Sequence, residues 1–440
     1  MNPNMNRKTS RSRLPIAPEA NPQTGSSQSR PSAAVFPWYL ASSSLWLGAM
    51  SLQGFLITWL LVGILESPPE AVGAGRALIE LPGLVILLLG GLIADRMDGR
   101  SLLLRMHLAV ALPALVIAGV VFLDLLHYWW VIGFGIAVSI AQALTDPARQ
   151  SMLSRVSRLD IQRTITITTI VTSLVGIAGV GIGGMLERIG LASVLGIQSL
   201  LFLLGGLAVM KLPPMPGNRK RPEGQYSISS NLTEMMSGLR AVWTLPLIRN
   251  LIGLNFLSSL FNAGAYVIVV PFIATAVYSG DAAFYANIVM MFTAGAVGSN
   301  ILLLYFMPLA HPGRLFLLMQ LTRVIILLVL WTKPPLWLFY TCMIVWGLNM
   351  GITSTLVRTT VQELAPTSHR ARILSLLILS FMLSAPLSSL LLGKLVGGLD
   401  PLNALLPGVA ISLIIFLLGR AFSGLWQYRS AFTAGTHHRE

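Results

Sequence analysis

Two ionisable side chains lie deep inside long apolar runs, and they are where chemistry would be sought first. Glu80 precedes Asp95 by roughly 22 Å of helix at about 1.5 Å per residue, and Arg323 follows Arg314 by roughly 13 Å. A charge at that depth in hydrocarbon is costly and by default signals function. For Glu80 the chemistry would be proton coupling or substrate contact; the rival is a structural ion pair with Arg76, one turn earlier at i,i+4 spacing. For Arg323 the guanidinium must snorkel, pair between helices or meet an anionic substrate. Asp146 lies nearer the end of its run with Arg149 beside it, which suits a gating pair better than a midplane proton site. Among uncharged polar residues, Gln53, Thr58, Asn255, Asn262 and Asn349 are candidate cavity-lining groups. Hydrogen bonding between helices accounts for each of them equally well. Phe256, Phe261, Tyr266 and Trp346 can add apolar contact, as can aromatic residues that only belt or pack a membrane bundle.

Other chemistries find no support. There is no His-Glu-x-x-His, no phosphate-binding Gly-x-x-x-x-Gly-Lys-Ser/Thr loop and no dinucleotide fingerprint, so metal hydrolysis, ATP hydrolysis and hydride transfer are not indicated. The single cysteine, Cys342, allows neither an intramolecular disulfide nor a cysteine-rich metal site. The chain reads as a non-enzyme without cofactor or metal. Its net charge of +14 would suggest nucleic acid in a soluble protein, but here it reads as a membrane-orientation signal, and no nucleic-acid partner is expected.

The elements that must position these residues follow from composition. Of 440 residues 54% are hydrophobic and 10% charged, far below the roughly one-quarter charged fraction of soluble chains. Apolar runs of spanning length predict helices near 38–64, 72–95, 101–124, 128–151, 163–186 and 190–211, then near 246–276, 283–307, 313–332, 335–361, 370–397 and 402–424. The fold class is an all-α membrane protein with twelve transmembrane helices in two pseudo-symmetric six-helix bundles. The expected divisions are a disordered arm over 1–36, bundles over 37–211 and 246–424, a linker over 212–245 and a tail over 425–440. Lys and Arg crowd the tails and the loops after even-numbered helices, whereas the opposite loops hold few, among them Arg188 and Lys333. Short basic loops stay inside, so both termini are expected in the cytoplasm, with the first helix an uncleaved span.

The linker carries Pro213, Pro214, Pro216, Gly217 and Pro222, then a segment over 231–243 in which Asn231 and Glu234 have capping-box spacing. A short helix along the cytoplasmic face is expected there. A weak internal repeat relates the halves: the offset carrying Arg149 onto Arg358 also carries Arg163 onto Arg372, Gly184 onto Gly393 and Leu186 onto Leu395. Related halves holding substrate between them near the midplane are the layout of many secondary transporters.

The stretch from Gly90 to Arg100 resembles the signature loop of the major facilitator superfamily, with Gly91, Ala94, Asp95, Arg96 and Arg100 in place and Asp98 where that pattern commonly has Gly. The segments 233–249 and 361–375, and Asp146-Pro147-Ala148-Arg149-Gln150, look like its branch of bacterial exporters that includes enterobactin and macrolide efflux proteins. In the fifth helix Gly179, Gly183 and Gly184 match the superfamily's antiporter motif, with Val180 where that motif has Pro; close helix packing is the rival reading of the same glycines. The resemblance spans about residues 36–424. It implies the major facilitator fold, a latch built from Gly91, Asp95, Arg96, Arg100, Arg149, Arg358 and Arg372, and proton-driven efflux of a small organic molecule, such as a drug-like compound or siderophore. The bacterial inner membrane is the implied location and a monomer the implied working unit. An importer, a lipid flippase and a non-transporting receptor remain alternatives on the same scaffold.

Overall fold

In hydrocarbon no water pairs with free backbone N–H and C=O groups, so each apolar run must close its own hydrogen bonds as a helix. A computed structural model describes residues 35–89, 98–157, 160–214, 228–307, 309–367 and 369–430. Its spans are α1 (Val35–Ile64), α2 (Pro69–Leu89), α3 (Gly99–Phe122), α4 (Tyr128–Val156), α5 (Ile161–Gly184), α6 (Leu191–Met210), α7 (Pro246–Val277), α8 (Ala282–Phe306), α9 (Pro312–Trp331), α10 (Leu336–Leu364), α11 (Arg370–Gly398) and α12 (Asn403–Phe422). Every span except α2 is long and apolar enough within the described residues to cross a membrane; α2 is 21 residues long, ending where the description stops. Asp98, Asp160 and Asp281 start α3, α5 and α8 by accepting backbone N–H groups of Ser101, Arg163 and Phe284 at 2.7–2.8 Å.

The linker contains the expected helix, Ile228–Thr244. It already runs through Ile228, so Asn231 lies within its first turn and the proposed capping box does not mark its start. A cap contributes only about 1 kcal/mol and does not fix a boundary when the preceding residues can also take helical backbone. The helix packs on α11, where Gly238 approaches Arg372 and Leu376. The packed region also continues past α12. Leu425 is fully buried, the guanidinium groups of Arg314 and Arg420 lie 5.0 and 4.6 Å from the Trp426 ring centroid, and Ser430 donates to Glu363.

The turns α1–α2, α5–α6, α7–α8 and α11–α12 gather at one end of the bundle, and the linker lies at the other. The most extensive crossings between the halves are α2 with α11 and α5 with α8, and glycines make both close. A Cβ at Gly73 would stand 2.3 Å from the Ser389 carbonyl oxygen, and one at Gly393 would stand 3.0 Å from the Cα atom of Gly73. A Cβ at Gly184 would stand 2.6 Å from that of Ala286. Gly184 and Gly393, related by the repeat, thus occupy equivalent crossings.

Core packing differs between the two ends. Toward the short turns one apolar cluster takes in both halves, from Phe55, Leu60 and Val180 to Ile268, Tyr285 and Leu392. Toward the linker, among the described residues, the halves keep separate cores, Tyr39, Leu103, Met152 and Val209 in the first, Leu251, Phe316, Leu356 and Ile373 in the second. The halves therefore close on each other at the short-turn end and part toward the linker end.

Candidate functional site

Cavities lie where the shared core gives way to the two separate ones. The first, about 210 Å³, is built by α7, α9, α10 and α11 and lined by Asn255, Ser258, Asn262, Arg323, Thr353 and Ser384 among others. The second, about 170 Å³, lies between the halves with Ser51, Thr58, Arg76, Tyr266, Tyr285 and Thr293 on its wall. Asn255, Ser258, Asn262 and Tyr266 recur at helical spacing along one face of α7, so that one helix supplies a polar stripe to both. Between them stands Trp346, whose Nε1 donates to Asn262 Oδ1 at 2.6 Å and whose ring meets those of Tyr266 and Phe292 edge-on.

Arg323 is 2% exposed. Its Nη1 donates to Ser258 Oγ and, at 3.1 Å, to Gln320 Oε1; its Nη2 donates to Asn349 Oδ1 at 3.1 Å. Asn349 in turn donates to the Met319 carbonyl at 2.7 Å and to Thr322 Oγ1 at 2.6 Å, which leaves its oxygen turned to the guanidinium. Asn349 therefore orients Arg323, while Asn255 and Asn262 line the cavity directly. Snorkelling does not occur, because the guanidinium is held by neutral groups of α7, α9 and α10.

Arg76 and Glu80 do not form the ion pair that their spacing allows. Arg76 turns to the cavity between the halves, and its Nε and the Glu80 Oε2 are buried without hydrogen-bond partners. Spacing makes such a pair reachable; here the side-chain directions, set by α2 packing between α4 and α11, keep it open. Gln53 sits at the repeat equivalent of Asn262 but faces away from the cavities, its Oε1 accepting from Gln198 Nε2 at 2.5 Å between α1 and α6. Thr58 lines the second cavity and donates to the Gly54 carbonyl at 3.2 Å.

The latch residues divide. Gly91, Asp95 and Arg96 lie outside the described residues. Arg100 donates to the Met210 carbonyl at 2.7 Å, tying α3 to α6 within the first half. Arg149 is buried and pairs with Asp146 at 3.4 Å; its guanidinium lies 5.0 Å from the Trp46 ring centroid, and its backbone carbonyl accepts from Tyr39. Arg358 and Arg372 are exposed, the latter beside the linker helix. The fifth-helix glycines serve packing: Gly179 meets Gly48 of α1, Gly183 meets the Phe55 ring, and Gly184 meets α8.

Sequence reasoning passed over Ser258, Gln320, Tyr285 and Thr293, whose polarity is unremarkable one residue at a time. The stripe spacing on α7 was the available signal for Ser258. It also missed the π-helical turns Leu60–Ile64, Ala265–Val269 and Ile273–Val277, in the first helix of each half. Such turns often mark functional sites, and Val62, Gly63, Phe272 and Thr275 line a further cavity of about 480 Å³ at the short-turn end.

Two halves closed at one end, parted at the other and cavity-lined at the junction describe a transporter scaffold. The family model described as transmembrane secretion effector matches residues 32–436. The chain belongs to this family of the major facilitator superfamily. Solved structures show the same fold at low identity. A nucleoside transporter, NupG, has a TM-score of 0.71 at 14% identity, covering 90% of this chain and 99% of its own. A POT family transporter in complex with 5-aminolevulinic acid gives 0.68 at 12%, covering 89% and 96%. A D-xylose-proton symporter gives 0.66 at 11%, covering 88% and 97%. No curated protein sequence matches this chain. The chain is a multi-pass membrane transporter of the major facilitator type and not an enzyme.

Proposed function

We propose that this protein exports a small organic molecule by alternating access, with both tails in the cytoplasm of a bacterial cell, protons as the coupling ion and the monomer as working unit. The observation that carries the reading is the divided core: one cluster shared at the short-turn end, two separate clusters toward the linker. With the basic linker and tails inside, this is a state open to the cytoplasm, the side from which an exporter loads. The family's description as a secretion effector favours export.

In this reading α1 and α7, softened by π-helical turns, move at the outer gate, while the α2–α11 and α5–α8 crossings act as pivots. Gly91, Asp95, Arg96 and Arg100 would latch the cytoplasmic side of the first half, and Arg358 and Arg372 that of the second. Arg149 with Asp146 would stiffen the end of α4. Arg76, Asn255, Asn262 and Arg323 would contact substrate. Glu80, with a buried oxygen free to take a proton, would couple transport to the gradient.

Proteoliposomes test this. A knockout strain screened against drugs and for lost chelator secretion supplies the substrate, and uptake into inside-out vesicles should then depend on an imposed proton gradient. Glu80→Gln should retain binding and lose that dependence, whereas unchanged dependence removes Glu80 from coupling. Gradient-driven movement in the opposite direction, or no flux at all, rejects export.

A further inference from the structure

Among the described residues, Arg323 is a buried cation without a counter-ion. Its partners Ser258, Gln320 and Asn349 are neutral, and no Asp or Glu lines the cavity beside it. Leaving a guanidinium uncompensated in a low-dielectric interior costs several kcal/mol, and membrane helices retain such a charge where something else supplies the opposite sign. The unmade hydrogen bonds point the same way. Arg323 Nε, Asn255 Nδ2 and Gln320 Nε2 are buried without partners, and all three are donors. A purely structural strut between α7, α9 and α10 would have been completed by acceptors. This one is surplus in donors and in positive charge.

We propose that the cavity beside Arg323 binds an anionic group of the transported molecule, a carboxylate, with Arg323 as its charge partner and Asn255 as a hydrogen-bond donor. The assignment rests on the transport reading above and adds to it the substrate class, an organic anion. A carboxylate offers about four acceptor sites and fits a guanidinium fork whose orientation is already fixed. Asn349 does the fixing, because its amide is committed to Met319 and Thr322 and its oxygen has only Arg323 to face. At about 210 Å³ the cavity takes a carboxylate with a small ring or chain attached. Beyond Trp346 the second cavity holds the next cation, Arg76.

The test uses the full-length protein in detergent and a matched probe panel: benzoate, benzamide and benzylamine, and 1-naphthoate with its amide and its naphthylmethylamine. Binding is read from thermal unfolding and from tryptophan fluorescence, to which Trp346, hydrogen-bonded to the cavity residue Asn262, contributes. At least one carboxylate should bind tenfold or more tightly than its amide and amine. Arg323→Gln should erase that preference, Arg323→Lys should keep part of it, and Asn255→Ala should weaken carboxylate binding several-fold. Equal or better binding of amides or amines, absence of carboxylate binding, or an undiminished preference in Arg323→Gln overturns the assignment. If Arg323→Gln does not fold, Asn255→Ala decides, and an unaltered carboxylate affinity in that variant overturns it. Interconversion of the halves is read separately, from cross-linking of engineered cysteine pairs at the linker end without ligand. Normal cross-linking beside a panel without carboxylate preference removes the anion and leaves transport standing.

Discussion

Replacing Gly73 by Ala should push the protein out of the state described here. The new Cβ would lie 2.3 Å from the Ser389 carbonyl oxygen, and real Cβ contacts essentially never fall below 3.0 Å, so α2 and α11 must separate by about 0.7 Å at a point where backbone, not a flexible side chain, is in the way. Overpacking of this kind costs about 1–3 kcal/mol. Because the clash is between halves, the cost falls on the conformation closed at the short-turn end and not on folding of either half. An equilibrium displaced by that much shifts about 5- to 150-fold. The assay is maleimide labelling of Thr275→Cys, on the wall of the short-turn cavity, in a background where the buried Cys342 is replaced by Ala. Labelling should rise at least fivefold. Gly184→Leu, at the repeat-related crossing, should act in the same direction. Gly179→Ala is the control: its Cβ would meet Gly48 within the first half at 2.2 Å, so it should lower thermal stability without raising labelling. Labelling within twofold of the parent in a folded Gly73→Ala protein would refute the idea that these crossings hold the closed end.

Glu187 accepts from the backbone N–H of Ala282 at 3.0 Å, across the halves at the start of α8. Glu187→Gln should favour opening of the short-turn end by a smaller step, at most about 1 kcal/mol for an exposed carboxylate, read by the same labelling. Gln53→Leu leaves Gln198 without its buried side-chain partner and should cost about 1–3 kcal/mol of stability in thermal unfolding, with substrate affinity unchanged; a shifted affinity would return Gln53 to the cavity wall. Trp426→Ala removes the ring that Arg314 and Arg420 both approach and should speed proteolytic cutting after α12, which otherwise stays slow. Arg149→Ala strips Asp146 of its ion-pair partner and Trp46 of its cation and should lower the melting temperature, with Arg149→Lys recovering only part because an ammonium does not reproduce the planar guanidinium.

Apolar length and the punctuation of charge, Pro and Gly determined by themselves where the spans lie, because a chain in hydrocarbon has few ways to satisfy its backbone. Predicted spans such as 246–276 and 283–307 stand against Pro246–Val277 and Ala282–Phe306. The repeat offset was also legible, since Gly184 and Gly393 each sit where two helices from different halves must touch. Polar residues were legible as a set of candidates and not as roles. Gln53 and Asn262 are repeat equivalents of similar chemistry, yet one bonds to α6 and the other faces a cavity, and only helix rotation and neighbours decide between them. Arg76 and Glu80 show the same limit: i,i+4 spacing makes a pair reachable, but the packing of α2 against the other half decides where each side chain points. Which end of the bundle is closed depends on contacts between helices far apart in the chain, and local sequence carries no term for it. Tertiary structure alone brought Ser258, Gln320 and Asn349, from three helices, around one guanidinium and left its Nε unpaired.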